Sequence, residues 1–213
     1  MTNAIDHFSI GAATLEQGTS ALQRRLGVVI PGGSKHTAMS THNCVTKAGD
    51  GLFLELIAVD PEAPDPGRVR WFTLDDAATQ ARLAATPRAL CWVVRTSNLD
   101  AIVADSPVDL GDVVHFSRGD RTWRLTVPAD GSLPEAGLLP AFIEWSPGPH
   151  PSEGMQDLGV ELDRIVLHHP DPNGLHDKLK ALQVDHLAEV VMATAPALSF
   201  VLKTPSGEVV EVN

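Results

Sequence analysis

Three times along this chain the same order of elements returns: a strand, a helix, then three strands. An internal repeat of this size constrains the fold more than any single motif, because each repeat is one supersecondary unit that must bury its apolar face against another. The first unit opens with AIDHFSIGA, residues 4–12. A helix follows from Thr14, with Leu15, Gly18, Leu22 and Leu26 on one face. Thr14 and Gln17 form a capping box and Gly27 is the stop. Strands are predicted at Val28–Ile30, Thr41–Ala48 and Leu52–Val59, with PGGSKH as a loop between the first two. A Pro-rich link over 60–72 and a helix over 73–85, capped by Thr73 with Asp76, lead to the second unit. That unit has strands at 88–96, 112–118, 121–127 and 141–145 and a short helix after Asn98. The third begins at Val160, has its helix from Asp171-Pro172, and ends in strands over 185–192, 198–203 and 208–212. The predicted division is residues 1–60, first βαβββ module; 61–87, link and helix; 88–150, second module; 151–213, third module. The predicted fold class is α+β, with repeated βαβββ modules, curved and mostly antiparallel sheets, and helices outside.

The last strand of each unit carries one glutamate among apolar neighbours: Glu55, Glu144 and Glu211. In LFLELIAV, Glu55 shares a face with Phe53 and Ile57, while Leu52, Leu54, Leu56 and Ala58 share the other. A carboxylate inside a core strand is costly unless it is paired, protonated or metal-bound. A sheet that lines a cavity on one side satisfies this pattern. If the strands bearing His7 and Glu55 are neighbours, both side chains face that cavity, and a histidine with a carboxylate suits Zn, Ni, Fe or Mn. An ordinary core histidine and an Arg-paired glutamate are the alternatives.

Composition excludes some partners. A net charge of −11 disfavours nucleic acid and anionic membranes. No apolar run is long enough to span a bilayer. Cys44 and Cys91 read as buried free thiols of a reducing compartment, and no secretory leader opens at Met1, so the expected location is cytoplasmic.

His7 in IDHFSI and Glu55 in LFLELIAV, with GGSKHTAMSTHN (32–43), RTWRL (121–125) and LPAFIEWSPGPHP (139–151), resemble the glyoxalase-like domain group of the vicinal oxygen chelate superfamily. The resemblance implies paired βαβββ modules around a cavity, and a divalent metal held by His7, Glu55 and Glu144. Matching the helix starts, Leu15 against Leu99, puts Cys91 at the His7 position of the second unit and Arg164 at that of the third. The full two-histidine set is therefore missing. Since such modules work in pairs, the third is expected to pack on its copy in a second chain, as a homodimer.

His36, Thr41 and Asn43 follow a Gly-rich loop and are candidate substrate contacts, as are Arg121, Trp123 and Trp145, with Arg124 beside them, as an aromatic and cationic wall. Turn polarity and snorkelling arginines are the alternatives for these. Three functions stay open. One is a metal-dependent lyase or isomerase acting on a small oxygenated metabolite, with Glu55 or Glu144, pKa raised by apolar neighbours, as proton shuttle. Another is a metal-free module that sequesters a small molecule. The third is a structural role with the cavity filled.

Overall fold

The computed structural model describes residues 3–213; Met1 and Thr2, which bear on the leader reading, lie outside them. In chain order the elements are β1 (Ala4–Gly11), α1 (Leu15–Leu26), β2 (Gly32–His36), β3 (Thr41–Gly49), β4 (Leu52–Val59), α2 (Ala77–Ala85), β5 (Arg88–Arg95) and α3 (Leu99–Asp105). There follow β6 (Asp112–Arg118), β7 (Arg121–Val127), β8 (Ala141–Trp145), β9 (Glu161–His169), α4 (Pro172–Ala181), β10 (Glu189–Met192), β11 (Ala197–Lys203) and β12 (Val209–Val212).

β1 to β8 form one eight-stranded sheet in the order β2-β3-β4-β1-β5-β8-β7-β6. Each module places its first strand parallel to its fourth, β1 with β4 and β5 with β8. The modules join where β1 and β5 run antiparallel. The predicted neighbours β1 and β4, which carry His7 and Glu55, are thus paired.

Local chemistry explains most boundaries. The Thr14 hydroxyl accepts from the Gln17 N–H, and Gly27 ends α1 in a left-handed conformation at φ 74°. The Gln17 side chain accepts from Ala13 N–H, one residue before the position a capping box requires, and donates to the carbonyls of Leu83 and Ala84 at the end of α2. Gly18 lets α1 lie close on β4, since a Cβ there would meet Leu56 at 2.7 Å.

Three predicted elements differ. The strand expected over 185–192 is a 3-10 turn at Asp185–Leu187 followed by a strand only at Glu189–Met192. The second strand is Gly32–His36 rather than Val28–Ile30, because the polar GGSKH stretch pairs as an edge strand, with Gly32 opposite Cys44 and His36 opposite Thr41. Tertiary pairing overrides weak strand propensity here. α2 starts at Ala77 and is capped by Asp76, whose carboxylate accepts from Thr79 N–H, because Phe72 and Thr73 turn through positive φ.

The sheet separates two apolar layers. The outer one unites Phe8, Ile10, Leu54, Leu56, Trp92 and Phe142 with residues of α1 and with Ile165, Leu167 and Phe200 of the C-terminal unit. Phe8 and Phe200 meet at 4.8 Å between ring centroids. Each fully buried side chain of this kind contributes about 1.5–3 kcal/mol. The inner layer holds Ile57, Cys91, Val93, Trp123, Leu125 and Ile143, with Trp71 and Phe72 of the 60–76 segment laid against them.

The C-terminal unit repeats the element order but not the sheet order. Its strands run β10-β9-β11-β12, so the first strand lies between the second and third. Its apolar side is covered by this chain's own eight-stranded sheet. The homodimer expectation rested on such modules working in pairs; the C-terminal unit packs on the sheet of its own chain.

Candidate functional site

His7, His36, Asn43, Glu55, Trp123 and Trp145, all predicted as candidates, line one cavity of about 90 Å³ on the inner face of the sheet. The predicted alternation of β4 is the reason for Glu55: Phe53 and Glu55 face the cavity, and Leu54 and Leu56 face the outer layer. Glu55 is only 5% exposed. Its Oε2 accepts from the Ser9 hydroxyl at 2.6 Å and its Oε1 from the Asn43 amide at 2.7 Å. His7 Nε2 lies 4.0 Å from Oε2, and His36 Nε2 lies 3.9 Å from Oε1. One buried carboxylate therefore stands between two imidazoles, one on each oxygen.

The partners of the two rings differ. β1 bulges between Ile5 and His7, which pair with the adjacent residues Val94 and Val93 of β5. A bulge lets consecutive side chains fall on one side, and Asp6 Oδ1 accepts from His7 Nδ1 at 2.7 Å. The other Asp6 oxygen accepts from the Trp145 indole N–H at 2.8 Å and from His150 Nε2 at 3.0 Å. His7 also stacks on Phe53 at 4.6 Å. His36 Nδ1 lies 3.0 Å from the Thr41 hydroxyl, and its Nε2 is 3.3 Å from the Asn43 amide nitrogen. The Asn43 oxygen accepts from Ser34 N–H at 2.7 Å. With its nitrogen already donating to Glu55, Asn43 presents its second hydrogen to His36 Nε2, so that nitrogen is an acceptor. Gly33 makes room for this: a Cβ there would lie 2.2 Å from the Asn43 oxygen.

These environments move the two histidines apart. Burial lowers the pKa of His7, but its hydrogen bond to Asp6 and the charges of Asp6 and Glu55 outweigh that, and the net shift is upward. For His36, burial lowers the pKa and Arg118, His7 and His42 add to it; Glu55 opposes them, and the net shift is downward. Burial would raise Asp6, but His150 and His7 hold it well below the usual carboxylate range. Burial would raise Glu55 as well, but the His7 charge and the Ser9 and Asn43 hydrogen bonds overcome it, and the net shift is downward. The expectation of a raised glutamate pKa fails for this reason: the apolar surroundings are outweighed by polar partners.

The remaining candidates lie elsewhere. Thr41 is buried behind His36 and holds it. Arg121 does not line the cavity; its cross-strand partner Arg118 does. Glu144 is on the outer face, where Arg124 Nε donates to it at 2.9 Å and Leu99 N–H at the start of α3 lies 3.4 Å away. Register explains this. β1 pairs Ser9 with Glu55, and the equivalent pair in the second module is Val93 with Ala141. Glu144 follows Ala141 by an odd number of positions and so points the other way. Arg124 leaves the predicted wall with it. Cys91 lies opposite Ser9, fully buried, and burial pushes its thiol far up. Arg164 and Glu211 are exposed, and Arg164 pairs with Asp163 and Glu189. Sequence reasoning missed Asp6, Ser9, Trp71, Arg118 and His150. Ser9 was readable, two positions from His7 on the same strand; the others depend on a bulge and on loops.

The chain matches the glyoxalase-like domain family over residues 5–183, a span that includes both modules of the cavity. It belongs to that family. This is the glyoxalase-like domain group that the motifs resembled. A hypothetical protein from Staphylococcus aureus is similar over 100% of this chain and 86% of its own, at TM-score 0.60 and 13% identity, which is a likeness of fold. Methylmalonyl-CoA epimerase from Mycobacterium tuberculosis is similar over 68% of this chain and 89% of its own, at TM-score 0.43 and 17% identity. A variant of 4-hydroxymandelate synthase from Streptomyces coelicolor is similar over 97% and 60%, at TM-score 0.45 and 11% identity. These last two are too loose to bear on chemistry. No curated protein matches the chain.

The metal expected from the resemblance does not fit this donor arrangement. Glu144 is on the wrong face, and among the described residues no three His, Cys, Asp or Glu side chains form a metal-holding group. Ligands bonded at 2.0–2.2 Å to one tetrahedral ion lie roughly 3.5 Å apart. His7 and His36 approach Glu55 at 4.0 and 3.9 Å on different oxygens, wider than that spacing. Among the described residues no helix is long and apolar enough to cross a membrane.

Proposed function

We propose that the cavity is the active site of a lyase or isomerase that moves a proton on a small oxygenated molecule. The observation that carries this reading is the pair of cavity-lining histidines set on opposite oxygens of Glu55. Acid and base assignments follow from paired titratable groups whose environments separate their pKa values. His36 Nε2 is unprotonated and, as it releases the Asn43 N–H, removes a proton from carbon beside a carbonyl. His7, held by Asp6, keeps a proton on Nε2 and delivers it to the oxygen or carbon that gains charge. Glu55 stays ionised, orients both rings through its charge, and is itself fixed by Ser9 and Asn43. The apolar walls, Phe53, Trp123 and Trp145 among them, exclude water and receive the body of the molecule.

The test is deuterium incorporation, followed by NMR, into a panel of small hydroxycarbonyl compounds and enolisable acids in heavy water. Exchange that is lost in both His36→Gln and His7→Gln supports the reading. A second reading is a carrier that sequesters its ligand, for which the aromatic and apolar cavity walls suffice without proton transfer. Saturable binding without exchange selects the carrier.

A further inference from the structure

Arg118 ends β6 and lines the same cavity. Its guanidinium stands 5.7 Å from the centre of the Trp123 ring. Among the described residues no carboxylate forms an ion pair with it, unlike Arg70, Arg124 and Arg164, each of which has an acidic partner. Directly across the β6–β7 hairpin it faces another arginine, Arg121. Like charges placed opposite each other in a sheet repel. Burial and Arg121 both lower its pKa, and Glu55 only partly opposes them, so the position is short of negative charge. A second donor on this wall lacks a partner. Trp71 lines the cavity, is 4% exposed, and its indole N–H is buried without a hydrogen bond. A buried donor left unpaired is a costly arrangement that a ligand acceptor relieves.

The two residues also mark a boundary. Trp71, His36, Arg118 and Trp123 line a second, outer pocket of about 490 Å³ as well as the inner cavity. A group held there lies beside His36, which lines both spaces. An inner space of about 90 Å³ takes only a small molecular end, on the order of six water-sized probes.

We propose that the site selects an oxyanion, a carboxylate or a phosphate ester, whose charged end is received by Arg118 and Trp71 while the uncharged end reaches toward His7, His36 and Glu55. This deepens the proton-transfer reading by naming the charge of the substrate, and rests on it only for the cavity being the site. Arginine matches either anion through its planar fork of N–H donors. Net charge on the whole chain is −11, so attraction of an anion has to come from a local feature of this kind.

Three of the four tryptophans line the cavity, so their fluorescence reports occupancy. The intact protein is titrated with benzoate, phenyl phosphate and neutral benzamide. At least one anion is expected to bind about tenfold more tightly than benzamide, and the one that does so identifies the source of charge. Arg118→Met should abolish that preference, and Arg118→Lys should keep part of it. Trp71→Phe, which removes the N–H and keeps a ring, should weaken the anion several-fold and benzamide less; it serves if Arg118→Met does not fold. Equal binding of benzamide, preference retained in the folded Arg118 and Trp71 variants, or no binding by any probe overturns the proposal. Deuterium exchange without anion preference would remove this inference and keep the proton-transfer reading; anion preference without exchange would do the reverse.

Discussion

Asp6 and His7 are consecutive in a strand, yet their side chains bond each other at 2.7 Å, because β1 bulges between Ile5 and His7. That irregularity turns an ordinary strand histidine into one with a fixed orientation and a raised pKa. It also ties the ring, through the second Asp6 oxygen, to Trp145 and His150.

Replacing Asp6 by Asn should therefore be severe. His7 and His150 lose a buried counter-charge, a loss of about 3 kcal/mol or more, and thermal unfolding should fall by roughly 6–12 °C. The penalty should depend on pH. The Asp6 pKa is depressed on folding, so its contribution is present above the unfolded value of about 3.9 and is lost as pH falls below it. The His7 pKa is raised, so its contribution is full below about 6.5 and is lost as pH rises through the folded value. The melting difference between wild type and Asp6→Asn should be largest between these limits and shrink on both sides.

Glu55→Gln removes the charge that raises both histidines. The pKa values of His7 and His36 should both fall, measured by imidazole proton shifts against pH. An unchanged His36 would mean that Glu55 does not act on it across 3.9 Å.

Gly33→Ala tests the seat of Asn43. The new methyl would overlap the Asn43 oxygen, so the amide must move and release Glu55, His36 or both. Overpacking of this kind costs about 1–3 kcal/mol. The variant should melt lower and show a shifted His36 titration.

Glu144→Gln separates the two faces of the sheet. It should slightly weaken the docking of α3 through Arg124 and Leu99, and leave cavity ligand binding and the His7 and His36 titrations as in wild type.

Much of the fold was legible because period-two and period-3.6 patterns act locally. The faces of LFLELIAV followed from alternation alone. GGSKH was not legible as a strand, since its pairing with Thr41–Cys44 owes nothing to its own propensity. Glu144 was misplaced because an embedded glutamate in the last strand of each unit looks like a repeated position until register is known. Arg118 and Trp71 were invisible for a related reason: a hairpin end and a Pro-rich link acquire their roles only when they fold over the inner face.

His7 and His36 flank Glu55 with their titrations moved in opposite directions. Long-range proton–nitrogen correlation of the histidine side chains, followed across pH, measures both, with His7→Gln and His36→Gln assigning the two among nine histidines. His7 should keep both nitrogens protonated to a higher pH than His36, and the neutral His36 ring should carry its proton on Nδ1. A His7 that loses its proton before His36 does, or a neutral His36 with its proton on Nε2, is incompatible with this arrangement.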